Sequence, residues 1–278
     1  MEGAPGMELN MIIDIHTHCF PDELAVRTIP FLSQKANIPA FTDGTVNRLK
    51  QSMAAAGIDI SVLQPIATKP QQTIGVNRWA FATQNNAQEN DIISFGTIHP
   101  DFPDWKEELK WLVEVGFKGV KFHPDYQDFF VDEQRLFPIY EALFESNLII
   151  IFHAGVDLGF SEPYHCTPNR LKKVLDAFPG GIIIAAHMGG YRYWNDVKKY
   201  LVGKNVYFDT SFSFKELGDE GMKRLIKSHG FEKILFATDS PWCDQTVEVS
   251  HIKSLDLSND EINCILSGNA RRILNLEP

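Results

Sequence analysis

Histidine and aspartate recur at one kind of place in this chain, the ends of short apolar runs. His16 and His18 close MIIDIHTH, His153 follows LIIIF, His187 follows GIIIAA, and Asp239 follows ILFAT. A lone histidine on an apolar strand is usually a core residue with a satisfied partner. Two at i and i+2 share one face of a strand, and this reading turns both inward with Asp14 beneath them. Two imidazoles side by side compete for partners unless something bridges them, and a divalent cation does so. With His153 and Asp239 they make three neutral imidazoles and a carboxylate, a ligand set for a first-row metal with room left for water.

The elements that must position these residues follow a steady rhythm. Apolar runs occupy 11–18, 59–66, 91–100, 117–124, 148–155, 181–189, 205–212 and 234–242. Each is too short for a free-standing helix and too uniformly apolar for a half-exposed strand, as buried parallel strands are. Helical periodicity lies between them. In TPNRLKKVLDAF, Thr167 is the expected N-cap, Pro168 the first helical residue, and Leu171, Val174, Leu175 and Phe178 the apolar stripe. In PDWKEELKWLVEVG the stripe is Trp105, Leu109, Leu112 and Val113. SNDEINCILSGNARRIL opens with capping-box spacing at Ser258 and Glu261 and reads as one helix. Eight strands alternating with helices predict a single-domain (β/α)₈ TIM barrel over residues 11–278, and every candidate ligand falls at a carboxyl end of a strand, where barrel enzymes keep their sites. A doubly wound sheet would place a glycine-rich turn after the first strand, where His16-Thr17-His18 stands. The longest connection, from about Cys19 to Gly44, reads as a lid, and residues 1–10 as a flexible extension.

The segments MIIDIHTHCFP, GVKFHP, LIIIFHAG, IIIAAHMGG, VYFDTSF and LFATDSPW, with the terminal SGNARRIL, resemble the amidohydrolase superfamily. The likeness is to the amidohydrolase-related branch that includes aminocarboxymuconate-semialdehyde decarboxylase, and it covers the chain from Met11. The resemblance implies His16, His18 and His153 as imidazole ligands, Asp239 as a ligand that also moves protons, and His187 as an electrophile or proton donor. Zinc is the first ion expected, with Mn²⁺ or Fe²⁺ as alternatives. Some members carry a carboxylated lysine that bridges a second metal. Lys121 stands where that lysine would, and the reading favours one ion with Lys121 as an ammonium near substrate.

Arg192, His123, His165, Trp194 and Trp242 are expected to contact substrate, Arg192 by holding a carboxylate. His99 reads as either a pocket residue or a strand cap, and His229 and His251 as surface residues. Ten aromatic residues among the loops, Phe20, Tyr126, Phe129, Phe130, Tyr164, Tyr191, Tyr193, Trp194, Phe212 and Trp242, suggest an apolar pocket for a flat substrate. Two reactions suit such a site. The first expectation is hydrolysis of an amide, ester or lactone by metal-activated water, whose pKa such an ion lowers to about 7. The alternative is non-oxidative decarboxylation of an aromatic or conjugated acid.

Composition narrows the partners. A net charge of −10 argues against binding nucleic acid. Cys19, Cys166, Cys243 and Cys264 are too scattered for a disulfide framework or a thiolate zinc site. No run of about 18 apolar residues spans a membrane, and MEGAPGMELN does not read as a signal peptide. The expectation is a cytoplasmic protein with a small-molecule substrate, a homo-oligomer being compatible.

Overall fold

Isoleucine and valine stiffen the eight apolar runs into strands, and a computed structural model of the chain describes residues 11–86 and 91–276. The 1–10 extension lies outside the described residues. The strands are β1 (Ile13–Thr17), β2 (Ile60–Leu63), β3 (Ile92–Ser94), β4 (Gly96–Thr97), β5 (Gly119–Phe122), β6 (Ile149–Phe152), β7 (Ile183–Ala185), β8 (Tyr207–Asp209) and β9 (Ile234–Leu235). All neighbours pair in parallel. β3 and β4 are halves of one stave, joined at Phe95, whose N–H donates to the Leu63 carbonyl at 2.9 Å. Gly119 makes room for that ring, since a Cβ there would stand 2.5 Å from Phe95. The N–H of Ile15 donates to the Phe236 carbonyl at 3.0 Å, and Thr17 bridges to Ser240. The eight staves thus close into a (β/α)₈ barrel, which has no free edge.

The helices are α1 (Asp22–Ala36), α2 (Val46–Ala56), α3 (Thr73–Asn86), α4 (Trp105–Glu114), α5 (Phe137–Glu145), α6 (Pro168–Ala177), α7 (Trp194–Tyr200), α8 (Phe214–His229), α9 (Gln245–Ser254), α10 (Asn259–Asn263) and α11 (Asn269–Leu274). Alternation along the strands divides the core. Ile149 and Ile151 face the barrel axis with Ile13, Ile15 and Ile184, while Ile150 and Phe152 meet the helical layer. Each fully buried aliphatic side chain contributes about 1.5–3 kcal/mol. Ala270, Ile273 and Leu274 of α11 pack beneath the inner set, so the C-terminal helix plugs the end opposite the histidines.

Several local readings are revised. The terminal segment is not one helix: the Ser258–Glu261 capping box forms, but α10 passes through a π turn at Cys264–Gly268 before α11. Val113 is exposed, leaving Leu109 and Leu112 as the buried stripe of α4. His229 is buried, its ring stacked on Phe208 at 3.8 Å, because Nε2 donates to the Val206 carbonyl and Nδ1 accepts from Gly203 N–H. The 19–44 connection is largely α1.

Candidate metal centre

The register of β1 against β2 shifts between Asp14 and Thr17, so strict alternation fails there. A bulge of this kind lets successive residues face one side. Ile13 and Ile15 point to the axis, and His16 joins them with Nε2 3.0 Å from Lys121 Nζ of β5. Asp14 therefore does not lie beneath the histidines. It turns toward α9, accepting from Thr238 Oγ1 at 2.6 Å and Gln245 Nε2 at 2.8 Å, and burial pushes its carboxyl up to about 7.

Hydrogen bonds at the back of each ring decide what its front offers. His16 Nδ1 lies 2.9 Å from Asp209 Oδ2, and since an ionised carboxylate only accepts, Nδ1 carries the hydrogen. Burial pushes the Asp209 carboxyl up, but His16 holds it far below the usual carboxylate range. His18 Nδ1 donates to the Gln64 carbonyl at 2.8 Å. In their neutral forms both rings turn a bare Nε2 into the site, 3.2 Å apart. Asp239 Oδ1 stands 3.2 Å from the His18 Nε2 and 3.7 Å from the His16 Nε2. Lys121 Nζ can donate to the His16 Nε2, but the His18 Nε2 and Asp239 Oδ1 meet with no hydrogen between them, a contact that calls for a cation or an added proton.

His153 is prepared by a second relay. Ser211 Oγ donates to Asp209 Oδ1 and accepts from His187 Nδ1 at 2.9 Å. His187 Nε2 then accepts from His153 Nδ1 at 3.1 Å, leaving His153 Nε2 a buried lone pair without a hydrogen-bond partner. Burial, then neighbouring His123 and His187, hold this imidazole well below its ordinary pKa, so it stays neutral. A buried polar atom left unmatched is the exception in folded proteins, and here it belongs to a residue that lines the same pocket as the other three. The donor set fits a divalent metal. His16, His18 and Asp239 have donor atoms within 4.8 Å of one another, while His153 groups at that distance with His123 and Asp157. In that second group His123 Nε2 carries a hydrogen toward Asp157 Oδ2 at 3.1 Å, because Nδ1 already accepts from Tyr126 N–H. It is a hydrogen-bonded pair, not a nest of lone pairs.

His187 and Asp239 have φ of 59° and 64°, left-handed values that cost a non-glycine residue about 1–3 kcal/mol and cluster at functional sites. The loop carrying His187 is held by Gly155, where a Cβ would stand 2.3 Å from the Tyr191 nitrogen.

The pocket above encloses about 790 Å³, counting its open mouth, and is lined by His16, His18, Lys121, His123, His153, His187, Asp239 and Trp242. Phe20, Tyr126, Tyr191 and Phe212 add aromatic wall, and Leu32, Ala36 and Ile38 close one side from α1 and the turn after it. Three expected substrate contacts lie elsewhere. Arg192 has a 47% exposed side chain, and its guanidinium grips Glu216 through Nε at 2.9 Å and Nη2 at 2.5 Å. His165 faces the Pro124 carbonyl and packs on Phe130, and Trp194 Nε1 donates to the His187 carbonyl. His99 accepts from Asp101 N–H and caps its turn. Asp209, Ser211 and Asp157 were missed, although Asp209 ends its apolar run as the other strand-end residues do.

A family profile described as Amidohydrolase matches residues 13–276. The chain belongs to the amidohydrolase family. No curated protein matches it in sequence, but its fold is shared with solved amidohydrolase-type barrels. It is similar to 5-carboxyvanillate decarboxylase from Sphingomonas paucimobilis at 17% identity and TM-score 0.73, covering 96% of this chain and 100% of that one. The corresponding enzyme of Novosphingobium aromaticivorans, solved with manganese and a nitrobenzoic acid, gives 17% and 0.74 with 98% of each covered. 2,6-Dihydroxybenzoate decarboxylase from Rhizobium gives 18% and 0.69, covering 97% of this chain and 100% of that one. The expectation of a hydrolase is corrected by this finding: these fold relatives of the amidohydrolase chain are decarboxylases of aromatic acids, the reaction first set down as the alternative.

Proposed function

We propose that this amidohydrolase-family chain is a metal-dependent, non-oxidative decarboxylase of an aromatic or conjugated carboxylic acid. The observation that carries the reading is the charge pattern of the pocket. Lys121 is the sole lysine or arginine among its described lining residues, and it lies at the floor beside the His16 imidazole under aromatic and aliphatic walls. That pattern suits one buried carboxylate on a flat apolar body.

His16, His18, His153 and Asp239 would hold the ion, which when bound supplies a Lewis acid for carboxylate oxygens. The remaining chemistry belongs to side chains. Lys121 Nζ pairs with the substrate carboxylate and fixes its direction. The apolar walls strip water from that carboxylate, which favours its departure as neutral CO₂. As the carbon–carboxylate bond breaks, its electron pair stays on the ring carbon, and that carbon takes a solvent proton passed on by Asp239. Burial pushes the Asp239 carboxyl up, but the neighbouring His18 and His16 hold it ionised until the proton arrives. His187, with both ring nitrogens occupied, keeps His153 in the tautomer that bares Nε2. Three imidazoles and a carboxylate accept Mn²⁺ and Zn²⁺ alike. Manganese bound in the fold relative from Novosphingobium aromaticivorans makes it the first ion to test, ahead of zinc. Protein loaded with either ion is expected to release CO₂ from hydroxybenzoates or dienoic acids. Turnover of esters or lactones without CO₂ release would overturn the proposal.

A further inference from the structure

Asp157, in the loop after β6, puts a carboxylate into the pocket in addition to Asp239, opposite in sign to Lys121. Its Oδ1 accepts from Gly159 N–H at 2.7 Å and its Oδ2 from His123 Nε2 at 3.1 Å. The His123 ring that clamps it stacks on His153 at 4.2 Å and 10°, which fixes the carboxylate next to the metal centre. Two acceptor bonds leave about half of a carboxylate's capacity unused, and the side chain, 13% exposed, lines the pocket.

We propose that Asp157 determines which acids the pocket takes: aromatic monocarboxylates bearing a hydroxyl or amino hydrogen-bond donor, with a second carboxylate rejected. This builds on the decarboxylase reading only in assigning the first carboxylate to the floor. A donor on the ring satisfies the free lone pairs of Asp157, whereas a methyl ether leaves them unmatched. A second carboxylate meets a like charge in a largely dry wall, and Lys121 is already committed below. Burial pushes Asp157 up, but the His123 hydrogen bond brings it below the usual carboxylate range, so the charge is present at neutral pH. A further cation whose charge reaches Asp157, Lys35 of α1, lies over the rings of Phe160 at 3.6 Å and Tyr126 at 4.4 Å.

The test uses Mn²⁺-loaded protein and three probes: 2,6-dihydroxybenzoate, its di-O-methyl ether and 5-carboxyvanillate. Calorimetric binding and CO₂ release are measured separately. Wild type should bind the dihydroxy acid at least about tenfold more tightly than either competitor, in line with how sites built for a hydrogen bond reject analogues lacking it. Asp157→Asn should shrink the penalty against the dicarboxylate by about tenfold with metal content unchanged. Equal or tighter wild-type binding of the dicarboxylate overturns the proposal. So does an unmoved ratio in the variant, or dicarboxylate binding that disappears in Lys35→Met. If Asp157→Asn folds poorly, the wild-type series decides alone. The predicted binding order without CO₂ release from any acid refutes the decarboxylase reading and leaves the role of Asp157 standing, whereas no binding of any probe refutes both.

Discussion

His16 shows how one side chain is prepared as a candidate ligand. Asp209 fixes the hydrogen on Nδ1 and so bares Nε2, and such partners behind a metal ligand are typically worth 10–100-fold in affinity. Asp209→Asn should weaken metal binding by that factor in a chelator competition, and unchanged affinity would detach Asp209 from the centre. Lys121 is the second residue whose role can be read directly. Burial lowers its pKa to about 8, and the ammonium it carries when protonated is the pocket's anchor for an acid. Lys121→Met should retain about one equivalent of metal and lose at least about thirtyfold in kcat/KM, from the roughly 2 kcal/mol or more that a buried charged contact contributes. Loss of one of two metal equivalents would instead mark Lys121 as a bridge between ions. The candidate ligands were legible in the sequence because each ends an apolar run. Their partners were not, since Asp209 stands 193 residues from His16 along the chain and only barrel closure brings the two together. Arg192 misled for a related reason: Glu216, 24 residues on, captures its guanidinium outside the pocket.

At the scale of elements, all eight strands lie where apolar runs bounded by polar residues placed them, because burial on both faces forces near-continuous hydrophobicity. What periodicity could not show was where it lapses. The β1 register shift that turns Asp14 away and His16 inward leaves no mark in MIIDIHTH, and the π turn at Cys264–Gly268 interrupts a stripe that reads as one helix. The end of α8 carries a measurable consequence. His229 is tied to Val206 and Gly203, and burial lowers its pKa from 6.5 to about 4. Between those values the unfolded chain binds a proton that the folded chain refuses, so stability is lost as pH falls through that window. The contribution is up to about 3 kcal/mol. Urea melts of wild type and His229→Gln should converge in their pH dependence above about 6.5 and diverge below it, the variant having the shallower loss. Parallel curves would remove His229 as the cause.

The whole molecule separates stability from chemistry by end. α11 and the inner isoleucines close one mouth of the barrel, and titratable strand ends, α1 and the aromatic loops build the other. Among the described residues no helix is long and apolar enough to cross a membrane. The barrel itself was legible because eight regular βα units have few ways to close. The reaction was not, since one metal-ready floor serves hydrolysis and decarboxylation alike, and function resides in the site more than in the fold. The central claim is that four strand-end ligands make this barrel a metal-dependent decarboxylase. Release of labelled CO₂ from a panel of carboxyl-¹³C hydroxybenzoates tests it most directly, comparing metal-loaded protein, metal-stripped protein and His153→Ala. The account predicts labelled CO₂ from the loaded protein, abolished by stripping and restored by Mn²⁺ or Zn²⁺, with His153→Ala reduced at least about a hundredfold, the scale on which loss of a catalytic group is felt. Release that survives both metal removal and the substitution would contradict it, as would no release from any acid by a protein that carries its metal.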